Sequence, residues 1–221
     1  MNYLIVGAGS HGKVVYSILL RKNVPSEKIF FIDIFEKKED KFLDRPIIGG
    51  LTSGIENLPC PFHVIVSYGG TPYTGNLERE KASIKVEDIF KDNHNYEFAT
   101  IIDPSAIISE DVSIDTNVSI GFFSAANIHS IINKGVIINN KVLIEHDVVI
   151  GDYSNISPGA MLLGSVKIGK RVFVGSGAII RNNISIGDNS VIGMGTVVIN
   201  DVPPDSLVLG NPGIVVRNLK E

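Results

Sequence analysis

The chain has 221 residues, 44% hydrophobic and 20% charged, and its 20 basic and 24 acidic side chains leave a net charge of −4. That length allows two modest domains, and the slight acidity argues against a sequence-independent grip on nucleic acid, which needs a clustered basic surface. A lone Cys60 excludes an intrachain disulfide, and with no membrane-length apolar run and no basic leader the chain is expected to be cytoplasmic and free of membrane partners.

Asn2 to Val6 is an apolar run expected to form a buried strand. Gly7-Ala8-Gly9-Ser10-His11-Gly12 follows, and Lys13 to Arg21 is expected to be helical. The glycines at 7, 9 and 12 match G-x-G-x-x-G, and Asp33 closes a second apolar run, Ile29 to Ile32. In a nucleotide-binding βαβ unit such glycines let the backbone approach phosphates at a helix N-terminus, while the acid accepts hydrogen bonds from a ribose or base. The same glycines also suit a plain tight turn. A dinucleotide fold needs two such halves, and only about 100 residues precede the repeat described below. There is room for one mononucleotide and not for NAD or FAD.

Ile34 to Pro61 is polar and broken by Pro46, Gly49, Gly50, Gly54 and Pro59, and reads as a connection with one short helix. Phe62 to Ser67 is a third strand leading into Tyr68-Gly69-Gly70, and Asn76 to Ile84 a helix with a solvated charged face. Phe98 to Ile102 is the last strand before Asp103-Pro104, where the domain boundary is placed. That puts residues 1–103 in the first domain and 104–221 in the second. His63 and His94 have no partner that the sequence identifies.

From Ile108 to Val198 every sixth residue is Ile, Leu or Val, Ala126 excepted, and a small or β-branched residue stands two places earlier. An α-helix would smear a period of six around its axis. Short strands joined by sharp turns hold it, because positions i−2 and i face one side of a strand. Such hexads mean a solenoid, in which three strands make one triangular coil and residues eighteen apart stack at roughly 4.8 Å.

Function then falls to residues that break the pattern. Glu145-His146-Asp147 sets a histidine between two carboxylates, and Gly164 lies eighteen residues on, one coil away. A base beside a bare amide suits deprotonation of an attacking group and stabilisation of an acyl-transfer oxyanion. Either flanking acid would fix the imidazole tautomer. Asn139, Asn140 and Asn155 are turn-formers or ligand contacts. His129 and His146 are seventeen apart with no third ligand, so no metal is expected.

The hexads, the Glu-His-Asp run, Gly210-Asn211-Pro212 after Val202-Pro203-Pro204 and the glycine-turn N-terminus together resemble the bacterial sugar acetyltransferases of the sialic acid O-acetyltransferase type. That group includes N-acetyltransferases acting on nucleotide-linked 4-amino-6-deoxy sugars. The resemblance implies a small Rossmann-like βαβ domain followed by a left-handed parallel β-helix, and a homotrimer with acetyl-CoA between adjacent solenoids. It implies His146 as base assisted by Asp147, an oxyanion or thioester contact at Gly164, and coenzyme contacts at Asn155, Gly164, Ser176 and Gly177. Nucleotide contacts fall on Gly7, Gly9, Ser10, His11, Gly12, Asp33 and Gly69, with Asn139 near the sugar. Some relatives have histidine where Asn155 stands, and the loop from Tyr68 to Tyr73 departs from their short Gly-Asp or Gly-Asn turn. The reaction expected is N-acetylation of a nucleotide-linked 4-amino-4,6-dideoxy sugar for a surface glycan, or O-acetylation of sialic acid or a related hydroxyl.

Overall fold

In the computed structural model the described residues are 1–33, 41–43, 45–50, 61–69, 71–72, 74–91 and 96–220. Cys60, Gly70, Tyr73 and His94 lie outside them, as does most of the segment expected to carry a short helix.

The N-terminal lobe is a sheet of strands β1 (Asn2–Val6), β2 (Ile29–Asp33), β3 (Lys41–Phe42), β4 (Arg45–Gly50), β5 (Phe62–Val66) and β6 (Tyr96–Phe98), in the order β3-β4-β2-β1-β5-β6. All neighbours are parallel except β3 and β4. β1 is central, with β2 on one side and β5 on the other, so the glycine turn opens at the crevice where strand order reverses. β4 corrects the expectation of a mere connection: Ile47 pairs with Phe31, and Pro46 and the following glycines hid this strand from a propensity argument.

Helix α1 (Ser10–Arg21) starts three residues earlier than expected, and α2 (Gly75–Phe90) runs well past Ile84. The charged face of α2 is solvated as expected, with Glu78, Lys81, Lys85 and Asp88 exposed, but Asn76, Arg79 and Ser83 are buried on the opposite side. His63 also finds a neighbour, with Nδ1 2.8 Å from Glu97 Oε1.

The expected last strand splits in two. Tyr96–Phe98 pairs with β5, whereas Ile101–Ile102 pairs with Ser119–Ile120 and already belongs to the solenoid, two residues before Asp103. From there two-residue strands follow every six positions and pair in parallel with those eighteen away, as Ala126 with Ile144 and Ile144 with Leu162. Three faces result. The first carries Ser119–Ile120, Ile137–Ile138 and Asn155–Ile156, the second Ala125–Ala126, Leu143–Ile144 and Met161–Leu162, and the third Ile131–Ile132, Val149–Ile150 and Lys167–Ile168.

The hexad aliphatics fill the prism and are buried from Ile120 through Val198, which removes their apolar area from water, the main favourable term in folding. The serines two places earlier close the corners: Ser124 Oγ donates to Asn139 O at 2.7 Å, Ser130 Oγ to Glu145 O at 2.8 Å and Ser154 Oγ to Gly169 O at 2.8 Å. A hairpin of Ser206–Leu209 and Ile214–Asn218 ends the first face.

The lobe sits on the first face and along the edge between the third and first faces. Asn117 Oδ1 accepts from Val66 N–H at 2.9 Å, and Arg21 pairs with Asp103 at 2.7 Å. Arg79 fastens α2 to the same edge. It is 0% exposed, and its guanidinium donates to Gly135 O at 2.9 Å, to Tyr68 O at 3.0 Å and to the carbonyls of Tyr153 and Ser154.

Candidate active site

Two clusters of predicted residues form, at different edges of the prism. The first is a cleft of about 450 Å³ between lobe and solenoid, lined among others by Ser10, His11, Gly69, Asn139, Asn155 and Ser157. Its lobe side is shaped by glycine. Gly7 has φ +114°, and a Cβ there would meet Ser67 Oγ at 3.1 Å and the Tyr68 ring at 3.3 Å. A Cβ on Gly12 would lie 2.4 Å from Gly7 O, so this glycine lets α1 close onto β1. Gly9 faces open space and leaves backbone accessible to a ligand.

Asp33 is 4% exposed; its Oδ2 accepts from Ala8 N–H at 3.3 Å and its Oδ1 from Tyr68 OH at 3.0 Å. The acid, expected to meet a ribose or base, here braces the glycine turn through Ala8 N–H and holds the Tyr68 phenol on its other oxygen.

His11 is buried, with Nε2 3.0 Å from Ser119 Oγ. Burial, and secondarily the nearby Arg79 charge, push its pKa from 6.5 down to about 3. The imidazole is thus neutral in the fold while the unfolded chain takes up its proton first. This contribution is complete above about pH 6.5 and is lost as pH falls toward about 3. A His11→Gln chain is expected to show a shallower loss of urea stability across that window, which parallel melts of the two chains would measure.

On the solenoid side Asn139 Nδ2 donates to Ile156 O at 3.0 Å, and Asn155 Nδ2 to Ser157 Oγ at 3.2 Å. Asn155, expected to touch coenzyme, thus shares a cleft with the residue expected near the sugar. Along the same edge Ser176 and Gly177 stand one coil above Pro158 and Gly159. Gly159, Gly177 and Gly195 all have positive φ, and no atom lies within 4 Å of a Cβ built on Gly177 or Gly195. This file of bare backbone went unnoticed in the sequence, where its signal is glycine recurring at eighteen.

The second cluster stands on the edge between the second and third faces. His146 Nδ1 is 2.8 Å from Asp147 Oδ2, whereas Glu145 turns to Asn127, whose Nδ2 donates to it at 3.3 Å. The hydrogen bond from His146 holds the Asp147 carboxyl below the usual carboxylate range, with the charges of His146 and His129 adding to it. With Nδ1–H given to Asp147, Nε2 of neutral His146 is a lone-pair acceptor. That edge of the ring faces Gly164 across one coil: a Cβ there would lie 2.6 Å from both Cε1 and Nε2. Only glycine leaves room for the imidazole, and no acceptor among the described residues takes the Gly164 N–H. A base and an amide donor thus share one small space, an arrangement suited to acyl transfer. Among the described residues no three His, Cys, Asp or Glu side chains gather for a metal ion, and no helix is long and apolar enough to cross a membrane.

The chain matches the PglD N-terminal domain over residues 2–72 and the bacterial transferase hexapeptide repeat over residues 165–200. Among curated proteins no match is found. Three solved structures are similar over nearly the whole chain. The acetyltransferase domain of PglB from Neisseria gonorrhoeae, in complex with acetyl coenzyme A, is 25% identical with a TM-score of 0.83, covering 97% of this chain and 98% of that one. PerB from Caulobacter crescentus, in complex with CoA and GDP-perosamine, is 25% identical with a TM-score of 0.70, covering 97% of each. WeeI from Acinetobacter baumannii is 25% identical with a TM-score of 0.81, covering 98% of this chain and 100% of that one. With both domain signatures in place and these structures superimposing on lobe and solenoid alike, the chain is an acetyltransferase, similar in fold and domain order to these sugar acetyltransferases.

Proposed function

We propose that this enzyme moves the acetyl group of acetyl-CoA to the amino group of a nucleotide-linked 4-amino-4,6-dideoxy sugar. The observation that carries this reading is the His146 imidazole packed against Gly164 with Asp147 on its far nitrogen. The amine nitrogen attacks the thioester carbonyl, and the Gly164 N–H donates to the oxygen that becomes negative. His146 Nε2 takes the ammonium proton of the resulting zwitterion, the C–S bond breaks, and the thiolate leaves as CoA once protonated. Asp147 keeps Nδ1–H fixed and steadies the imidazolium.

The nucleotide is assigned to the glycine turn, with Asp33 and Gly69, and the sugar to the cleft beside Asn139. The bare file through Ser176 and Gly177 offers a track for the coenzyme's pantetheine arm. That PerB carries CoA and GDP-perosamine together supports this class of substrate.

The cleft and His146 stand at opposite borders of the second face. Its outward positions, Ile107, Ala125, Leu143, Met161, Ile179 and Val197, are all apolar, and Ile107 is 73% exposed. Phe123, 66% exposed, and Ile128 flank it. A soluble monomer rarely leaves such a stripe open. Packing three copies through this face would cover it and bring the cleft of one to the imidazole of the next, so we assign a homotrimer.

The reading is tested by incubating the chain with acetyl-CoA and UDP-, GDP- or dTDP-linked 4-amino sugars, or with sialic acid, and following free thiol. Thiol release with one nucleotide amino sugar is expected. Release with sialic acid alone would make it an O-acetyltransferase, and silence with every acceptor would overturn it. Gly164→Ala is expected to lower turnover about 10²-fold by displacing the imidazole, with the nucleotide-sugar KM little changed in steady-state assays.

A further inference from the structure

We infer that His129 is a positioning residue of the acetyl-transfer centre, holding Asp147 from the neighbouring coil so that the carboxylate keeps one oxygen on His146. This rests on the proposed role of His146. His129 stands eighteen residues before Asp147, so the two occupy the same corner position in successive coils. Both have left-handed backbone, φ +58° for His129 and +59° for Asp147, which points their side chains the same way. His129 Nδ1 lies 3.6 Å from Asp147 Oδ1, while Oδ2 is 2.8 Å from His146 Nδ1.

The row is imidazole, carboxylate, imidazole, with each carboxylate oxygen facing a different ring. Asp147 is half exposed at a corner, and one hydrogen bond leaves it free to swing about χ1 toward water. A second donor on the other oxygen fixes the plane of the carboxylate. The 3.6 Å separation is longer than a formed hydrogen bond, and such contacts in free enzymes tighten once substrate is bound. Glu145, engaged by Asn127, does not compete for the place. Counting from His146 made His129 look one residue out of register for a shared metal; counting from Asp147 puts it in register for a shared carboxylate.

Because His129 touches the base only through Asp147, its effect must vanish when Asp147 is changed. His129→Ala is expected to lower kcat roughly 3- to 30-fold, within the range of couplings between contacting residues, with both KM values and the melting temperature unchanged. In an Asp147→Asn chain the same substitution should cause no further loss. His129→Asn, which keeps a short N–H donor and tolerates left-handed backbone, should recover most of the rate. Wild-type kcat in His129→Ala, equal fold losses in both backgrounds, or a loss confined to KM or melting temperature would overturn the inference. A near-normal His146→Ala chain would overturn the proposed function along with it. An inactive His146→Ala beside an unaffected His129→Ala would overturn this inference alone.

Discussion

A His146→Ala chain is expected to melt with the wild type and to turn over on the order of 10²–10⁴ times more slowly, the usual cost of losing a general base. Its stability should hold because the imidazole is half exposed and outside the prism, whose core is built from the hexad aliphatics. The rate should fall because nothing else nearby can accept the proton in the same place. Asp147 is held on Nδ1, and Glu145 is turned to Asn127. Nucleotide-sugar binding should persist, since the glycine turn, Asp33 and Asn139 are untouched. A loss of kcat with KM preserved would mark the group as acting in the transition state. Circular dichroism melts and thiol-release kinetics on one preparation decide the point.

Arg79→Met should produce the largest loss of stability. The guanidinium has no carboxylate partner among the atoms it contacts and is spent on carbonyls of Tyr68, Gly135, Tyr153 and Ser154 together with Asn76 Oδ1. Burial lowers its pKa to about 9, so it remains charged at neutral pH. A thioether of similar length fills the space but donates nothing. Each buried acceptor left without a donor costs about 1–3 kcal/mol, and allowing for relaxation we expect a loss of about 3–5 kcal/mol. For a chain of this length that is a drop of about 6–20 °C in Tm. Arg79→Lys should rescue only part, since one ammonium cannot reach the separate carbonyls that a planar fork spans. Thermal melts of the three chains measure the ranking.

The solenoid was legible because its signal is arithmetic. A six-residue period sets the strands, and an eighteen-residue coil predicts which side chains stack, including the meeting of His146 with Gly164. The glycine turn and Asp33 were equally plain, being contiguous or nearly so. What escaped depends on neighbours far apart in the chain. Arg79 looked like a solvated helix charge because its acceptors are backbone carbonyls of corners up to 75 residues away, which carry no side-chain signature. That Asn155 shares a cleft with Asn139 follows from the lobe folding over the first face, which no local pattern announces. His129 lies seventeen residues from His146 but eighteen from Asp147, so its neighbour in the next coil is the carboxylate. β4 was missed since Pro46 and the adjacent glycines suppress its local propensity, while pairing with β2 settles it.

The claim on which the rest depends is that this active centre acetylates an amine carried on a nucleotide-linked sugar. It is tested most directly by offering the wild-type chain acetyl-CoA with an equimolar mixture of a nucleotide-linked 4-amino sugar and its 4-hydroxyl counterpart, and identifying products by mass spectrometry and NMR. The account predicts one acetamide on the amino sugar, one CoA released for each, and no ester. An ester on the hydroxyl sugar, or CoA released without any acetylated sugar, would contradict it.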